Sequence, residues 1–116
     1  MELSEDQMAW LILGLVHDRG HVSFAEIDRF VDLKKGDESF FLPNFENLVV
    51  WFSLTTKCAN AIERLIREKK VFIHPSSELS YIADGAIPSM PKAKSIRNYT
   101  KPHWVPCCLH HTEIKE

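Results

Sequence analysis

The sequence predicts an α+β fold that is mainly helical and ends in an extended tail. Two serines, Ser4 and Ser23, are each followed three positions later by Gln or Glu and then by apolar residues at helical spacing, which is typical of a capped helix start. Residues 71–74 and 79–83 are β-rich runs separated by a Pro/Ser turn. Prolines recur after residue 86, so no long helix is expected there.

The first predicted helix begins after Ser4 and stops at Gly20, a residue type that commonly ends helices. Its apolar residues lie on more than one side, so we expect it to pack against more than one neighbour. A second, shorter helix begins after Ser23 and ends near Asp32. Both starts place acidic residues in the first turn, where the helix dipole favours negative charge.

Residues 33–53 form a connector rich in turn-forming residues. Within it, residues 45–52 fit two interpretations. Asn44 can cap a short helix over this stretch, whereas the run Leu-Val-Val-Trp-Phe has the β-branched and aromatic composition of a strand. Of the two, we favour the helix.

The clearest predicted helix runs from about Leu54 to Lys70, with Ser53 or Thr55 as its cap. Its apolar residues form one face and its polar residues the other, as expected of a helix that packs on a core. Lysines at its carboxyl end lie where the helix dipole favours cations.

The two β-rich runs that follow predict a hairpin, which Asp84 and Gly85 close. From residue 86 onward we expect an extended tail. Five large apolar residues can anchor this tail on the core: Ile96, Tyr99, Trp104, Val105 and Leu109.

This order of elements resembles the winged helix-turn-helix superfamily over roughly residues 4–85. The likeness is closest over residues 61–73, where the third helix runs directly into the first wing strand. The resemblance implies a winged-helix domain at residues 1–85 and a Pro-rich basic tail at residues 86–116. The connector departs from the family because only a few residues usually join the second and third helices. Either it is an insertion, or residues 45–52 are the second helix of the motif.

The resemblance implies that the third helix lies in the major groove of DNA and that the wing contacts the backbone. Arg, Asn, Lys and Thr suit bases and phosphates, and the candidates on the helix are Thr55, Thr56, Lys57, Asn60, Arg64 and Arg67. The wing candidates are His74, Ser76 and Ser77. Cations of the tail can also grip phosphates, and these are Lys92, Lys94, Arg97 and Lys101. A solvated polar helix face and a solvated linker explain the same patterns without DNA.

Charge is distributed unevenly along the chain. Residues 1–53 carry a net charge of −6, whereas residues 54–104 carry +5, within a total of −2. A domain with two oppositely charged halves can present the basic one to nucleic acid. The acidic half supports an alternative function, in which its carboxylates bind a basic protein surface.

Three cysteines, two of them adjacent, imply no disulfide framework and favour a reducing, cytoplasmic location. Cys107, Cys108, His110 and His111 have the chemistry of zinc ligands but lack the spacing of structural zinc sites, so no metal or other cofactor is predicted.

No apolar run reaches the ~20 residues of a membrane helix. The chain also lacks a phosphate loop and the common hydrolase motifs, so we do not predict an enzyme.

The sequence therefore predicts a small cytoplasmic winged-helix protein that binds duplex DNA, most simply as a transcription regulator. A homodimer is expected because two-fold symmetry matches a palindromic site. The apolar first helix and the aromatic residues of the connector are the candidate dimer contacts: Phe40, Phe41, Phe45, Trp51 and Phe52. The alternative is a winged-helix protein-interaction module or a small phage- or plasmid-type inhibitor. Exposed acids at Asp28, Asp32, Asp37, Glu38 and Glu46 would favour that alternative.

Overall fold

Both capping serines begin helices in the computed structural model, which describes residues 2–83 and 87–114. Ser4 and Gln7 exchange the two hydrogen bonds of a capping box, and the side chain of Ser23 accepts from the backbone N–H of Glu26. Gly20 ends the first helix at a φ of 82°, as predicted. The elements follow in the order α1 (Glu5–Arg19), β1 (His21–Ser23), α2 (Phe24–Phe30), β2 (Glu38–Phe41), β3 (Leu48–Leu54), α3 (Thr56–Arg67), β4 (Phe72–Pro75), α4 (Leu79–Ala83), β5 (His103–Trp104) and β6 (Cys107–His110).

The helix favoured over residues 45–52 is wrong, because this stretch enters strand β3. Asn44 and Asn47 have φ values of 73° and 58° and turn the chain, so that β3 pairs antiparallel with β2. Four consecutive residues of β3, from Leu48 to Trp51, are buried. A strand covered on both faces reads as a continuous apolar run without period-2 alternation, which explains the ambiguity of the sequence.

The predicted hairpin over residues 71–83 is also wrong, because residues 79–83 form helix α4 instead of a returning strand. The antiparallel partner of β4 is β6, and the paired residues are 32 to 38 positions apart in the chain. Buried Tyr81 holds α4 in place: its hydroxyl donates to the carbonyl of Cys107 at 2.6 Å and accepts from the backbone N–H of Phe24 at 3.1 Å. The predicted turn at Asp84 and Gly85, and the boundary between residues 85 and 86, lie outside the described residues.

The C-terminal segment completes both sheets. Strand β6 lies between β1 and β4 in one three-stranded sheet, and β5 runs parallel to β3 in the other. Of the predicted anchors, Tyr99, Trp104, Val105 and Leu109 are buried, whereas Ile96 is 42% exposed. Trp104 packs edge-on against Tyr81 with ring centroids 5.1 Å apart, at the centre of the core.

The α+β class is confirmed. Helix accounts for 35% and strand for 23% of the structure, so a predominance of helix is not established, and neither is the winged-helix topology. Across the part of the chain that the structure describes, no helix has the length and apolarity needed to span a bilayer.

Candidate nucleic-acid interface

Two cations of α3 that are predicted DNA contacts bind residues at, or just before, the start of α1. The Lys57 ammonium donates to the carbonyl of Leu3 at 2.5 Å. The Arg64 guanidinium lies 2.7 Å from the carboxylate of Asp6 and 3.3 Å from that of Glu5. Both side chains therefore join α3 to α1 and are half-buried in that contact.

The rest of the exposed face of α3 is of mixed charge. Arg67 pairs with Glu63 one turn earlier at 2.5 Å, and the Thr56 hydroxyl donates to the carboxylate of Glu38 at 3.3 Å. Asn60 is exposed between them. Arg67 and Thr56 therefore each face an acid on this side of α3.

Thr55 has a structural role at the start of α3. Its hydroxyl accepts from the backbone N–H of Cys58 at 3.2 Å, as the predicted cap should. The same hydroxyl donates to one oxygen of the buried Asp32 at 2.9 Å, and the Thr55 backbone N–H donates to the other at 3.0 Å. Burial, with the nearby Asp32 charge, raises the pKa of the Cys58 thiol, which stays a neutral core residue.

The three residues predicted on the wing support the fold around β4. The Ser76 backbone N–H donates to the carbonyl of Pro106 at 2.8 Å, and the Ser77 hydroxyl accepts from the N–H of Leu79 at the start of α4 at 3.1 Å. His74 lies on β4, and its ring centroid is 6.2 Å from that of His110. With α4 in place of the second strand, these residues no longer form the tip of a hairpin.

The remaining predicted cations lie together on residues 92–101, which we call the basic loop. Lys92, Lys94, Arg97 and Lys101 are all exposed there. Lys92 has a carboxylate of Glu78 at 3.7 Å. Among the described residues, no carboxylate lies within ion-pair distance of the other three. The basic loop is thus the place where predicted contact residues keep their charge uncompensated.

The basic loop is ordered by a set of hydrogen bonds to the turn before β3. The Tyr99 backbone N–H donates to the carbonyl of Glu46 at 3.1 Å, and the side-chain amide of Asn47 donates to the carbonyl of Tyr99 at 2.8 Å. The side chain of Asn98 accepts from the N–H of Glu46 at 2.8 Å. Tyr99 also bonds through its hydroxyl to the backbone of Ser95. These bonds order the backbone that carries the cations.

An aromatic stack lies at the C-terminal end of the basic loop. The Arg97 guanidinium lies 4.2 Å above the centroid of the Tyr99 ring, and the His103 ring stacks on Tyr99 at 4.0 Å with an interplanar angle of 25°. A guanidinium held over an aromatic ring is pre-organised for a phosphate because fewer rotamers are lost on binding.

The acids proposed for a protein-binding patch do not form one exposed surface. Asp32 is only 2% exposed and is used by Thr55. Asp28 lies with most of its side chain buried and pairs with Lys35 at 2.5 Å. Asp37, Glu38 and Glu46 are exposed. The five acids whose exposure would favour the inhibitor function are therefore divided between the core and the surface.

Packing also accounts for most of the aromatic residues proposed for a dimer. Phe40 and Trp51 are buried in the core, and Phe45 and Phe52 are half-buried. Phe41 is 47% exposed, and on α1 the Trp10 side chain is 73% exposed. The homodimer stays a prediction.

Five histidines form a cluster that the sequence did not suggest. The His110 ring stacks on His21 across the β1–β6 pair at 5.5 Å and lies 6.2 Å from His74 on β4, and His17 and His111 lie 5.6 Å apart. Burial and the neighbouring imidazoles lower the pKa of His110. Within residues 2–83 and 87–114, no three His, Cys, Asp or Glu side chains are arranged to hold a metal ion.

Both adjacent cysteines of the predicted tail are core residues. Cys107 and Cys108 are both buried in β6. Burial raises the pKa of Cys107 to about 12, so this thiol is neutral at neutral pH.

In comparisons with known proteins, this chain matches no protein-family model, no curated protein and no solved structure. Its function is therefore argued from its own geometry.

Proposed function

We propose that this protein binds nucleic acid, most simply duplex DNA in a regulatory role, and that its contact surface is the basic loop. The observation that carries the proposal is a difference in how the positive charges are neutralised. Lys94, Arg97 and Lys101 face no described carboxylate, whereas the α3 cations are bound to acids or to backbone. Phosphates bind where positive charge is left unpaired, because an existing ion pair must first be broken.

The stack of Arg97, Tyr99 and His103 supports the same surface. A pre-organised guanidinium presents its N–H donors to a phosphate in a fixed direction, and the flanking lysines add charge without fixed geometry. Contacts of this kind position a protein on the backbone and carry little sequence information. We therefore expect binding with weak sequence preference and strong salt dependence.

The test is a fluorescence anisotropy titration of mixed short DNA duplexes at low and physiological salt. The variant K94Q/R97Q/K101Q removes three charges from the basic loop. We expect it to lose at least tenfold in affinity, and we expect the slope of log K against log salt to fall by roughly 0.9 per lost phosphate contact. Circular dichroism confirms that the variant is folded.

The matched control is R67Q/K69Q/K70Q, which removes three exposed charges from the last residue of α3 and the turn that follows it. Both variants have the same net charge, so a difference between them reports location and not total charge. Loss of binding in the control but not in the loop variant would move the contact surface to α3. Absence of binding to any duplex at low salt would contradict DNA binding.

A further inference from the structure

A cavity of about 280 Å³ lies where the start of α1, the end of α2 and the start of α3 meet. Its apolar lining comes from Leu3, Met8, Val31 and Leu33. Small-molecule sites usually have volumes of ~300–1,000 Å³, and this cavity lies just below that range, so it suits only a small ligand. Neither the basic loop nor the histidine cluster contributes to it.

Two lysines on the cavity wall share one carboxylate. Lys34 and Lys57 both line the cavity. The Lys34 ammonium is hydrogen-bonded to one oxygen of Glu2, and the Lys57 ammonium lies 3.9 Å from the other. The hydrogen bond and the two positive charges lower the pKa of Glu2, whose side chain is otherwise 64% exposed. The mouth of the cavity is thus already built to hold a carboxylate.

The second carboxylate in the cavity does not compete for these lysines. Asp32 also lines it, but each of its oxygens accepts a hydrogen bond from Thr55, at 2.9 and 3.0 Å. Among the described residues, Glu2 is the acid within ion-pair distance of Lys34 and Lys57.

We propose that this cavity binds a small amphipathic monocarboxylate, such as a medium-chain fatty acid, whose head group displaces Glu2. The exchange replaces one carboxylate by another, so the charge balance around the two lysines is unchanged. The apolar body of the ligand then covers Leu3, Met8 and Val31, which gives binding its hydrophobic contribution. This inference does not depend on nucleic-acid binding.

The test is isothermal titration of the full chain with octanoate, compared with octanol as a probe of the same length without the charge. We expect octanoate to bind and octanol to bind more weakly. In an ¹H–¹³C spectrum, octanoate should shift the Met8 methyl resonance, which locates the ligand in the cavity. Equal binding of the two probes, or an unshifted Met8 methyl, would overturn the proposal.

Three exposed substitutions sharpen the test without disturbing the core. K34Q removes one cation from the mouth and should weaken octanoate binding by about three- to fivefold, the range expected of a partly exposed ion pair. K35Q is the matched control, because Lys35 pairs with Asp28 and does not line the cavity. E2Q removes the internal competitor and should tighten binding. An affinity unchanged in K34Q, or lowered in E2Q, would contradict the displacement of Glu2.

Discussion

The cations of α3 and those of the basic loop are the same residue types in similar density, yet their surroundings separate them. Arg64 contacts Glu5 and Asp6 on α1, so its charge is already engaged in ion pairs that join the two helices. Arg97 lies over Tyr99 and faces no described acid. A cation is available to a ligand only when the fold leaves it uncompensated, and this property depends on contacts far away in the sequence.

The largest expected effect concerns the tryptophan that anchors the basic loop. Trp104 is 1% exposed, and its backbone bonds to Pro91 and Ala93 at 2.8 Å each, at the start of the loop. Replacing Trp104 by Ala should reduce the free energy of unfolding by about 3–5 kcal/mol and should also abolish DNA binding. Denaturant titration measures the first effect and anisotropy the second.

The control for this substitution is Trp10→Ala on α1, whose free energy of unfolding is measured by the same denaturant titration at low protein concentration. Because Trp10 is 73% exposed, its removal should change the free energy of unfolding by less than about 0.5 kcal/mol. Equal losses in the two variants would contradict the described burial of Trp104.

Tyr81→Phe tests the helix that replaces the predicted wing strand. The substitution removes a buried hydroxyl that bonds to Cys107 and Phe24, and it leaves the Phe24 N–H unsatisfied. We expect a loss of about 1–3 kcal/mol in the free energy of unfolding, again measured by denaturant titration. A neutral effect would mean that α4 is not held by this hydroxyl.

A smaller effect sharpens the comparison between the two sets of cations. Arg64→Gln should lower the midpoint of thermal unfolding, and the loss should shrink in high salt because the ion pairs with α1 are screened. Lys94→Gln should leave that midpoint unchanged while it weakens DNA binding. The opposite assignment, with stability lost in Lys94→Gln alone, would show that the loop cations are structural.

The pH dependence of stability tests the histidine cluster. Burial, together with His21, His74 and His111, lowers the pKa of His110 below the ordinary value of 6.5, so the folded protein binds this proton less tightly than the unfolded chain does. The contribution of His110 is therefore complete above pH 6.5 and decreases as the pH falls below it. Denaturant titrations at neutral and mildly acidic pH should show a smaller pH-dependent loss in His110→Gln than in the natural chain, whereas an equal loss would contradict the account.

Local signals in the sequence predicted α1, α2 and α3, because the caps at Ser4, Ser23 and Thr55 depend on residues only three positions away. Long-range pairing caused the errors. Strand β4 pairs with β6, and the sequence of residues 71–83 does not indicate that a distant segment pairs with β4.

The candidate site shows the same division between local and distant information. Residue type and exposure identified the cations of the basic loop and of α3 alike. Which of them is compensated depends on pairs such as Arg64 with Asp6, which are 58 positions apart. The histidine cluster was missed for the same reason, since its members come from α1, β1, β4 and the end of the chain.

The most direct test of the account is an ¹H–¹⁵N spectrum of the labelled protein recorded during titration with a short DNA duplex. We predict that the amide resonances that shift belong to residues 94–103, with those of α3 unchanged. Shifts confined to residues 56–67, or a spectrum that does not respond to DNA at low salt, would contradict the central claim that the uncompensated cations of the basic loop bind the nucleic acid.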